Sequence, residues 1–225
     1  MIDIAGLSKS FGTRVLWQDL TFTIEAGRML ALTGPSGSGK STLLNCLGLL
    51  DTPTAGTIGH DGRDLTGLGA RRTRVYRRDT LGYLFQNYAL IDNATIADNL
   101  SIAVRPARRR GAARTAPSPA EALERVGLAG REKDVVHRLS GGEQQRVALA
   151  RLIVKQPALV LADEPTGALD IDNTHMVIDT LRALADSGCA VVIATHDPVV
   201  RDLCDTVLDV GTATAPTPVK EISAP

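Results

Sequence analysis

The stretch Gly34-Pro35-Ser36-Gly37-Ser38-Gly39-Lys40-Ser41 decides the fold of this chain. It fits the pattern G-x-x-x-x-G-K-[ST], in which glycines let backbone N–H groups converge on phosphate oxygens. A β-rich run, 28–33, precedes it, and a segment that favours a helix, 41–50, follows it. This order of strand, loop and helix predicts phosphate binding at a helix N-terminus, where the helix dipole also attracts anions.

The loop predicts a nucleoside triphosphate and Mg²⁺ as ligands. Lys40 is expected to reach the β- and γ-phosphates, and the Ser41 hydroxyl is expected to ligate Mg²⁺. Residues 34–41 and Thr42 form the predicted ATP-binding set. The alternative is a glycine-rich turn that binds nothing.

Short apolar runs elsewhere predict buried parallel strands. Leu159–Ala162 and Ala190–Ala194 are such runs, and a helix is expected between them, from about Asp172 to Ala185. Residues 2–33 alternate β-rich runs with turns, of which 21–24 and 28–33 are the clearest strands. The predicted class is α/β, with a mainly parallel sheet and a small antiparallel part.

The middle of the chain, about 88–148, has helical patterning and predicts an α-helical subdomain inserted in a domain that spans 2–210. Ser118-Pro119-Ala120-Glu121 is typical of a helix start. Two arginine-rich segments, 71–78 and 105–114, are either solvated surface or contacts to acidic lipid or a partner. The tail, 211–225, is rich in Ala, Thr and Pro and is expected to be flexible.

The composition narrows the class of protein. Of the 225 residues 44% are hydrophobic, and 25 basic residues balance 25 acidic ones, which argues against nucleic acid as the main partner. Cys46, Cys189 and Cys204 have no metal-ligand or paired spacing and are interpreted as buried thiols in a reducing compartment. No run approaches the about 18 apolar residues that cross a bilayer, so a membrane role would require a partner.

Two later segments supply candidate catalytic groups. The strand 159–162 ends in Asp163 and Glu164, which point in different directions. We assign Asp163 to the metal, through water, and Glu164 to the general base, although a simple strand exit would also explain the pair. His196 follows the strand 190–195 at the ligand edge of the sheet, where it could hydrogen-bond the γ-phosphate, whereas a lone histidine is more often structural.

The segment Leu139-Ser140-Gly141-Gly142-Glu143-Gln144-Gln145-Arg146 predicts a second anion site. It is a turn that opens a helix over 143–154, and exposed N–H groups and the dipole favour anions at such a start. The alternative is a plain helix cap.

Together these segments resemble the ATP-binding subunit of ABC transporters, from about Ile2 to Val210. The resemblance implies that Phe11 stacks on adenine, and that Gln86 senses Mg²⁺ and acts with Glu164 and His196 in catalysis. It further implies that the signature, here Ser140 to Glu143, closes over the γ-phosphate held by a second subunit. Asp170, in Gly167-Ala168-Leu169-Asp170, looks like the residue that contacts the opposite site.

Two segments are similar to particular subgroups. Residues 163–170 resemble those of lipoprotein-releasing, macrolide-efflux and FtsE-type ATPases, and residues 82–93 resemble those of lactococcin-group bacteriocin exporters. The resemblance implies a homodimer of ATPase subunits that is bound to an integral membrane permease at the cytoplasmic face of the cell membrane. The expected transport is export of a peptide or bacteriocin. The alternative is lipoprotein release or macrolide efflux.

Two other classes are weighed against this interpretation. One is a soluble ABC-type ATPase acting on DNA or ribosomes, which the zero net charge disfavours. The other is a regulatory module that closes on ATP without turnover, which the presence of Glu164 disfavours.

Overall fold

Two β-sheets organise the chain in the computed structural model, which describes residues 1–104, 116–167, 171–211 and 217–218, with the backbone alone for 171–172 and 217–218. The first sheet is antiparallel and has the strand order β2-β1-β4-β5. Its strands are β1 (Ile2–Phe11), β2 (Arg14–Ile24), β4 (Ala55–His60) and β5 (Arg63–Asp64).

The second sheet has six strands in the order β10-β9-β3-β8-β7-β6. All neighbours in it are parallel except β10 and β9. Its strands are β3 (Met29–Thr33), β6 (Leu81–Leu84), β7 (Leu159–Asp163), β8 (Ala190–Ala194), β9 (Thr206–Asp209) and β10 (Thr217–Pro218). The carboxyl ends of β3, β7 and β8 therefore meet at one edge, which is where open α/β sheets bind ligands.

The described residues contain seven helices, of which the third and fourth pack on the fifth and the others pack on the six-stranded sheet. They are α1 (Lys40–Leu47), α2 (Ala70–Asp79), α3 (Ile96–Ser101), α4 (Pro119–Arg125), α5 (Gly141–Lys155), α6 (Ile171–Asp186) and α7 (Pro198–Asp202). A 3₁₀ turn, Val136–Arg138, precedes α5. No described helix is both long and apolar enough to cross a membrane.

Alternate residues of the central strands enter two different cores, as the two-residue period of a strand requires. Met29 and Ala31 of β3 pack in the core that includes α3 to α6. Leu30 and Leu32 pack in the core formed with α1 and the antiparallel sheet. The phosphate loop leaves β3 from this doubly buried position, so its start is fixed on both faces.

The predicted α/β class and the strands 159–162 and 190–194 are confirmed. The predicted strand 21–24 is the end of the longer β2, and the predicted helix 41–50 is shorter, because α1 ends at Leu47 with Gly48 as its C-cap. The helix start at Ser118 is confirmed, with a capping box in which Ser118 and Glu121 bind each other's backbone N–H groups.

The remaining predictions on organisation have different outcomes. All three cysteines are buried and free, and burial raises their pKa, to about 11 for Cys46 and about 12 for Cys189 and Cys204. Helices α3 and α4 lie within 88–148, while α5 continues to Lys155. The limits of the predicted domain and subdomain stay predictions. Segment 105–114 lies outside the described residues, as does most of the tail, 212–216 and 219–225.

Candidate nucleotide-binding site

The phosphate loop occupies residues 34–39, between the end of β3 and the start of α1. Gly39 caps α1 with a φ of 95°, in the left-handed region that favours glycine. A Cβ atom on Gly39 would lie 2.8 Å from Nε1 of Trp17, so a larger residue would also clash with the first sheet. Backbone conformation and close packing therefore both require glycine at this point.

Two cationic side chains flank the loop. The Lys40 ammonium donates to the carbonyl oxygens of Gly34 at 2.8 Å and Pro35 at 3.3 Å. Arg14, from β2, donates to the carbonyl oxygen of Gly37 at 3.1 Å. The positive charge that a polyphosphate needs is thus held against the loop by contacts within one chain.

A cleft of about 600 Å³ lies next to the loop. The first sheet contributes Phe11, Arg14 and Leu16 to its lining, and the rest comes from the loop, the start of α1 and Glu164. Phe11 is 55% exposed, which leaves ring surface available for stacking. The cleft therefore brings together an aromatic ring, a phosphate loop and a carboxylate.

Ser41 and Asp163 meet across the edge of the six-stranded sheet. The Ser41 hydroxyl donates to Oδ1 of Asp163 at 3.0 Å. Burial, followed by the charge of Glu164, raises the pKa of Asp163, although the hydrogen bond from Ser41 and the charge of Lys40 oppose the rise. A hydroxyl and a carboxylate are oxygen ligands of the kind that Mg²⁺ prefers.

The Mg²⁺ would need further ligands. Among the described residues no group of three or more His, Cys, Asp or Glu is placed to hold a metal ion. Sites of this type complete the coordination with substrate phosphates and water. The pair Ser41 and Asp163 therefore fits Mg²⁺ that arrives with a nucleotide.

Glu164 and His196 form the second pair at this edge. Nδ1 of His196 lies 2.8 Å from Oε2 of Glu164, and the hydrogen bond and charge of Glu164 raise the pKa of His196. The His196 side chain is 73% exposed, whereas that of Glu164 is 19% exposed. Glu164 has a φ of 47° and its N–H donates to the carbonyl oxygen of Ala194 at 2.9 Å. This hydrogen bond to β8 helps to hold Glu164 in its positive-φ conformation. Such a conformation costs about 1–3 kcal/mol in a residue other than glycine.

The segment that begins at Ser140 forms the N-terminus of α5. The Ser140 hydroxyl accepts from the N–H of Glu143 at 3.3 Å, and the Glu143 carboxylate accepts from the N–H of Ser140 at 2.8 Å. Arg131 also binds Glu143, and these contacts lower the pKa of Glu143 to about 2. The N–H groups of Gly141 and Gly142 have no acceptor among the described residues, as expected for the first turn of a helix.

The signature residues, Ser140 to Glu143, do not line the cleft. A Cβ atom on Gly142 would lie 3.2 Å from Nδ2 of Asn173 in α6, so this helix start packs closely on α6. The structure thus places a second potential anion site outside the cleft of its own chain.

Two contacts of α5 were not predicted from the sequence. The Gln145 amide is buried and donates to the carbonyl oxygen of Pro165, directly after Glu164. Arg151 donates to the carbonyl oxygens of Tyr88 at 2.8 Å and Ala89 at 2.7 Å. Gln145 lies in the segment 139–146 but had no assigned role, Arg151 lies outside it, and only the fold brings these partners together.

The other predicted site residues lie apart from these pairs. Gln86 is exposed in the turn after β6 and shows no hydrogen bond to a described residue. Asp170 lies outside the described residues, as do Ala168 and Leu169. The structure therefore joins Lys40, Ser41, Asp163, Glu164 and His196 around one edge, but shows no contact between Gln86 and that group.

The sequence model of the ABC transporter family matches residues 17–167, which is more than half of the chain. The chain belongs to the ABC transporter family. As a member of this family it is an ATPase.

Two groups of ABC proteins are similar in sequence. The lipoprotein-releasing system ATP-binding protein LolD of Bordetella pertussis is 45% identical over 188 residues, covering 83% of this chain and 81% of LolD. The macrolide export ATP-binding/permease protein MacB of Salmonella typhimurium is 37% identical over 219 residues, covering 93% of this chain and 33% of MacB. The chain thus spans one third of the length of MacB.

Solved ABC structures are similar in fold. The dimeric structure of MJ0796, a bacterial ABC transporter cassette, gives a TM-score of 0.83 at 31% identity and covers 99% of this chain and 100% of that one. The dimeric post-hydrolysis state of MJ0796 bound to ADP and Pi gives a TM-score of 0.82, also at 31% identity.

Proposed function

We propose that the chain is the ATP-hydrolysing subunit of a membrane transporter, which closes as a homodimer on MgATP while docked on a separate integral membrane permease. One observation carries the proposal. The phosphate loop, the pair Ser41 and Asp163, and the pair Glu164 and His196 meet at the edge of one cleft. This constellation supplies phosphate binding, a metal position and a base within one chain.

Each group has a role in this proposal. Lys40 and the loop residues 34–39, with Thr42, hold the phosphates, and Phe11 stacks on the adenine. Ser41 and Asp163 hold Mg²⁺, with Gln86 as a further ligand. When bound, Mg²⁺ neutralises charge that develops on the phosphate oxygens.

Glu164 takes the proton from the attacking water, because its carboxylate lines the cleft and is an acceptor when ionised. The hydrogen bond from His196 fixes the direction of that carboxylate. His196 is also the group proposed to donate to the γ-phosphate, for which its exposed ring is available. Gln86 would join this set only after the turn that follows β6 moves toward the cleft.

The second half of each site comes from a second copy. The signature, Ser140 to Glu143, and Asp170 are proposed to close over nucleotide bound to the other subunit. The unsatisfied N–H groups of Gly141 and Gly142 and the absence of these residues from the cleft lining support this arrangement. The similar MJ0796 cassette has been solved as a dimer.

The membrane partner follows from the relatives. LolD is named as a lipoprotein-releasing system component, and MacB carries a permease in its name. We therefore place this chain at the cytoplasmic face of the cell membrane, bound to a permease and not to nucleic acid. Residues 87–93, after Gln86, are the segment proposed to face that permease.

For the transported substrate, the relatives favour the LolD and MacB type. Peptide or bacteriocin export rests on the resemblance of residues 82–93 alone, and neither relative named above is a bacteriocin exporter. The proposal is therefore made for lipoprotein release or macrolide efflux, with peptide export as the second candidate.

The substitution Glu164→Gln tests the shared site. Because it removes the base but keeps the shape, ATP should persist between two subunits. Light scattering with excess MgATP should then give a dimer for Glu164→Gln and a monomer without nucleotide. Glu124→Gln, at an exposed glutamate in α4, is the control and should behave as the wild type. A monomeric Glu164→Gln protein in excess MgATP would contradict the shared-site model.

A further inference from the structure

The Phe11 ring is contacted by a cation that the proposed ATP chemistry does not use. Phe11 ends β1 and lines the cleft. The Lys9 ammonium nitrogen lies 4.7 Å from the centre of the Phe11 ring. A cation at this distance over a ring face is attracted by the electron density of the ring.

Lys9 is held in this position by two hydrogen bonds. Its side chain is buried, with the residue 7% exposed, although lysines are almost never buried without partners. The ammonium donates to Oδ1 of Asp51 and to the carbonyl oxygen of Thr52, both at 2.7 Å. The bond from Lys9 is the main reason that the pKa of Asp51 is below its usual value. Two of the three N–H donors are thus used, and the ring of Phe11 lies beside the same nitrogen.

The partners of Lys9 belong to the part of the molecule that holds the phosphates. Asp51 and Thr52 come shortly after α1, the helix that begins at Lys40, and the N–H of Asp51 donates to the carbonyl oxygen of Asn45 in α1 at 3.2 Å. A second bond between the same segments joins Thr54 N–H to the carbonyl oxygen of Ser8 at 2.8 Å. Residues 51–54 therefore link the end of β1 to α1, the helix that begins at Lys40.

From this geometry we propose that Lys9 is a positioning residue for the base of the nucleotide. It fixes the Phe11 ring relative to the phosphate loop, and its charge on one ring face makes the ring a better partner for an electron-rich purine. The inference rests on the proposed binding of ATP and names a residue that this proposal leaves out. The competing explanation is an ion pair that only stabilises the fold.

The test separates base binding from phosphate binding. Calorimetry measures the affinities of the full chain for MgADP, which carries the base, and for magnesium pyrophosphate, which does not. Lys9→Met should lower the affinity for MgADP about fivefold, at the lower end of what stacking of a base on an aromatic ring contributes, and should change the affinity for pyrophosphate by less than about twofold. Lys9→Arg keeps the cation and should retain the wild-type ratio of the two affinities.

Two further variants control for folding and for the route of the effect. Lys9→Met combined with Asp51→Asn removes the unpaired carboxylate, and should show the same loss for MgADP. In a Phe11→Leu background, Lys9→Met should have no additional effect on MgADP, because the ring through which it acts is gone. Lys133→Met, at an exposed lysine, should leave both affinities unchanged.

Either of two results would overturn the inference. One is an equal loss of affinity for MgADP and pyrophosphate in Lys9→Met, and the other is no loss for MgADP. Failure of the proposed function would give a different result, because the wild-type chain itself would then bind neither MgADP nor magnesium pyrophosphate.

Discussion

The nucleotide cleft and the N-terminus of α5 differ in how their polar groups are paired. In the cleft, Lys40 and Ser41 already have partners in the same chain. At α5 the capping box binds Ser140 and Glu143 to each other, but two glycine N–H groups have no described acceptor. One region is therefore assembled within the chain, whereas the other is ready for an anion that this chain does not bring to it. We expect nucleotide to bind to single subunits and hydrolysis to need two.

The largest expected effect is in the cleft. Lys40→Ala removes the ammonium proposed to bind the phosphates, and loss of one partner of such a charge pair costs about 2–5 kcal/mol. Calorimetry with MgADP should therefore show affinity reduced by about 30-fold or more. Lys133→Ala is the control, and an unchanged affinity of Lys40→Ala would refute the assignment of the phosphate loop.

At the N-terminus of α5 we expect a smaller effect, which is on ATP hydrolysis and not on nucleotide binding. Ser140→Ala should leave MgADP affinity unchanged but reduce steady-state ATP hydrolysis about tenfold or more, because the proposed contact exists only in the closed dimer. It should also lower the free energy of unfolding by about 1 kcal/mol through loss of the cap.

Ser118→Ala is the matched control for Ser140→Ala. Ser118 forms the same capping box at α4, so its substitution should cost a similar stability without loss of activity. If Ser140→Ala and Ser118→Ala hydrolysed ATP at the same rate, the signature would have no role in hydrolysis beyond capping its helix.

Arg151 joins α5 to the turn after Gln86, and its loss should loosen that contact. In Arg151→Met the carbonyl oxygens of Tyr88 and Ala89 lose their donor, so the turn after Gln86 should open more often. Hydrogen exchange of amides 88–91 should become about tenfold faster, which corresponds to about 1.4 kcal/mol. Arg74→Met, at an exposed arginine of α2, should leave that exchange unchanged. Protection that survives in Arg151→Met would show that other contacts hold the turn.

The smallest effect concerns the pH dependence of the pair formed by Glu164 and His196. The pKa of His196 is raised above its ordinary value of about 6.5, so its stabilising contact is fully present below that pH and is lost as the pH rises through the raised pKa. NMR titration should show the His196 pKa fall in Glu164→Gln, because the carboxylate charge is gone. A pKa that does not move would mean that Glu164 is not its cause. The effect is small because His196 is 73% exposed.

The sequence predicted correctly those elements that depend on interactions between residues close together in the chain. The glycine loop, the apolar strands and the Ser118 cap depend on neighbours within a few residues, and the structure contains each of them. The hydrogen bond between Ser41 and Asp163 follows from the rule that parallel strands end at one edge.

The contacts that were missed join distant segments. Gln145 meets Pro165, Arg151 meets Tyr88, and Lys9 meets Asp51, and each pair requires the register of whole elements before the side chains can be placed. Their signal in the sequence is weak, because a glutamine, an arginine or a lysine in a helix or strand is ordinary at the surface. Burial makes Gln145 and Lys9 unusual, and for Arg151 only the folded structure shows its two carbonyl partners.

The backbone at Glu164 has a consequence for engineering this protein. Its left-handed conformation is one that glycine adopts without penalty, so selection for folding alone would favour glycine there. The proposed base is instead kept at that position against a conformational cost. Methods that rank substitutions by stability would therefore recommend replacing the residue proposed as the base, an instance of the trade-off between stability and activity.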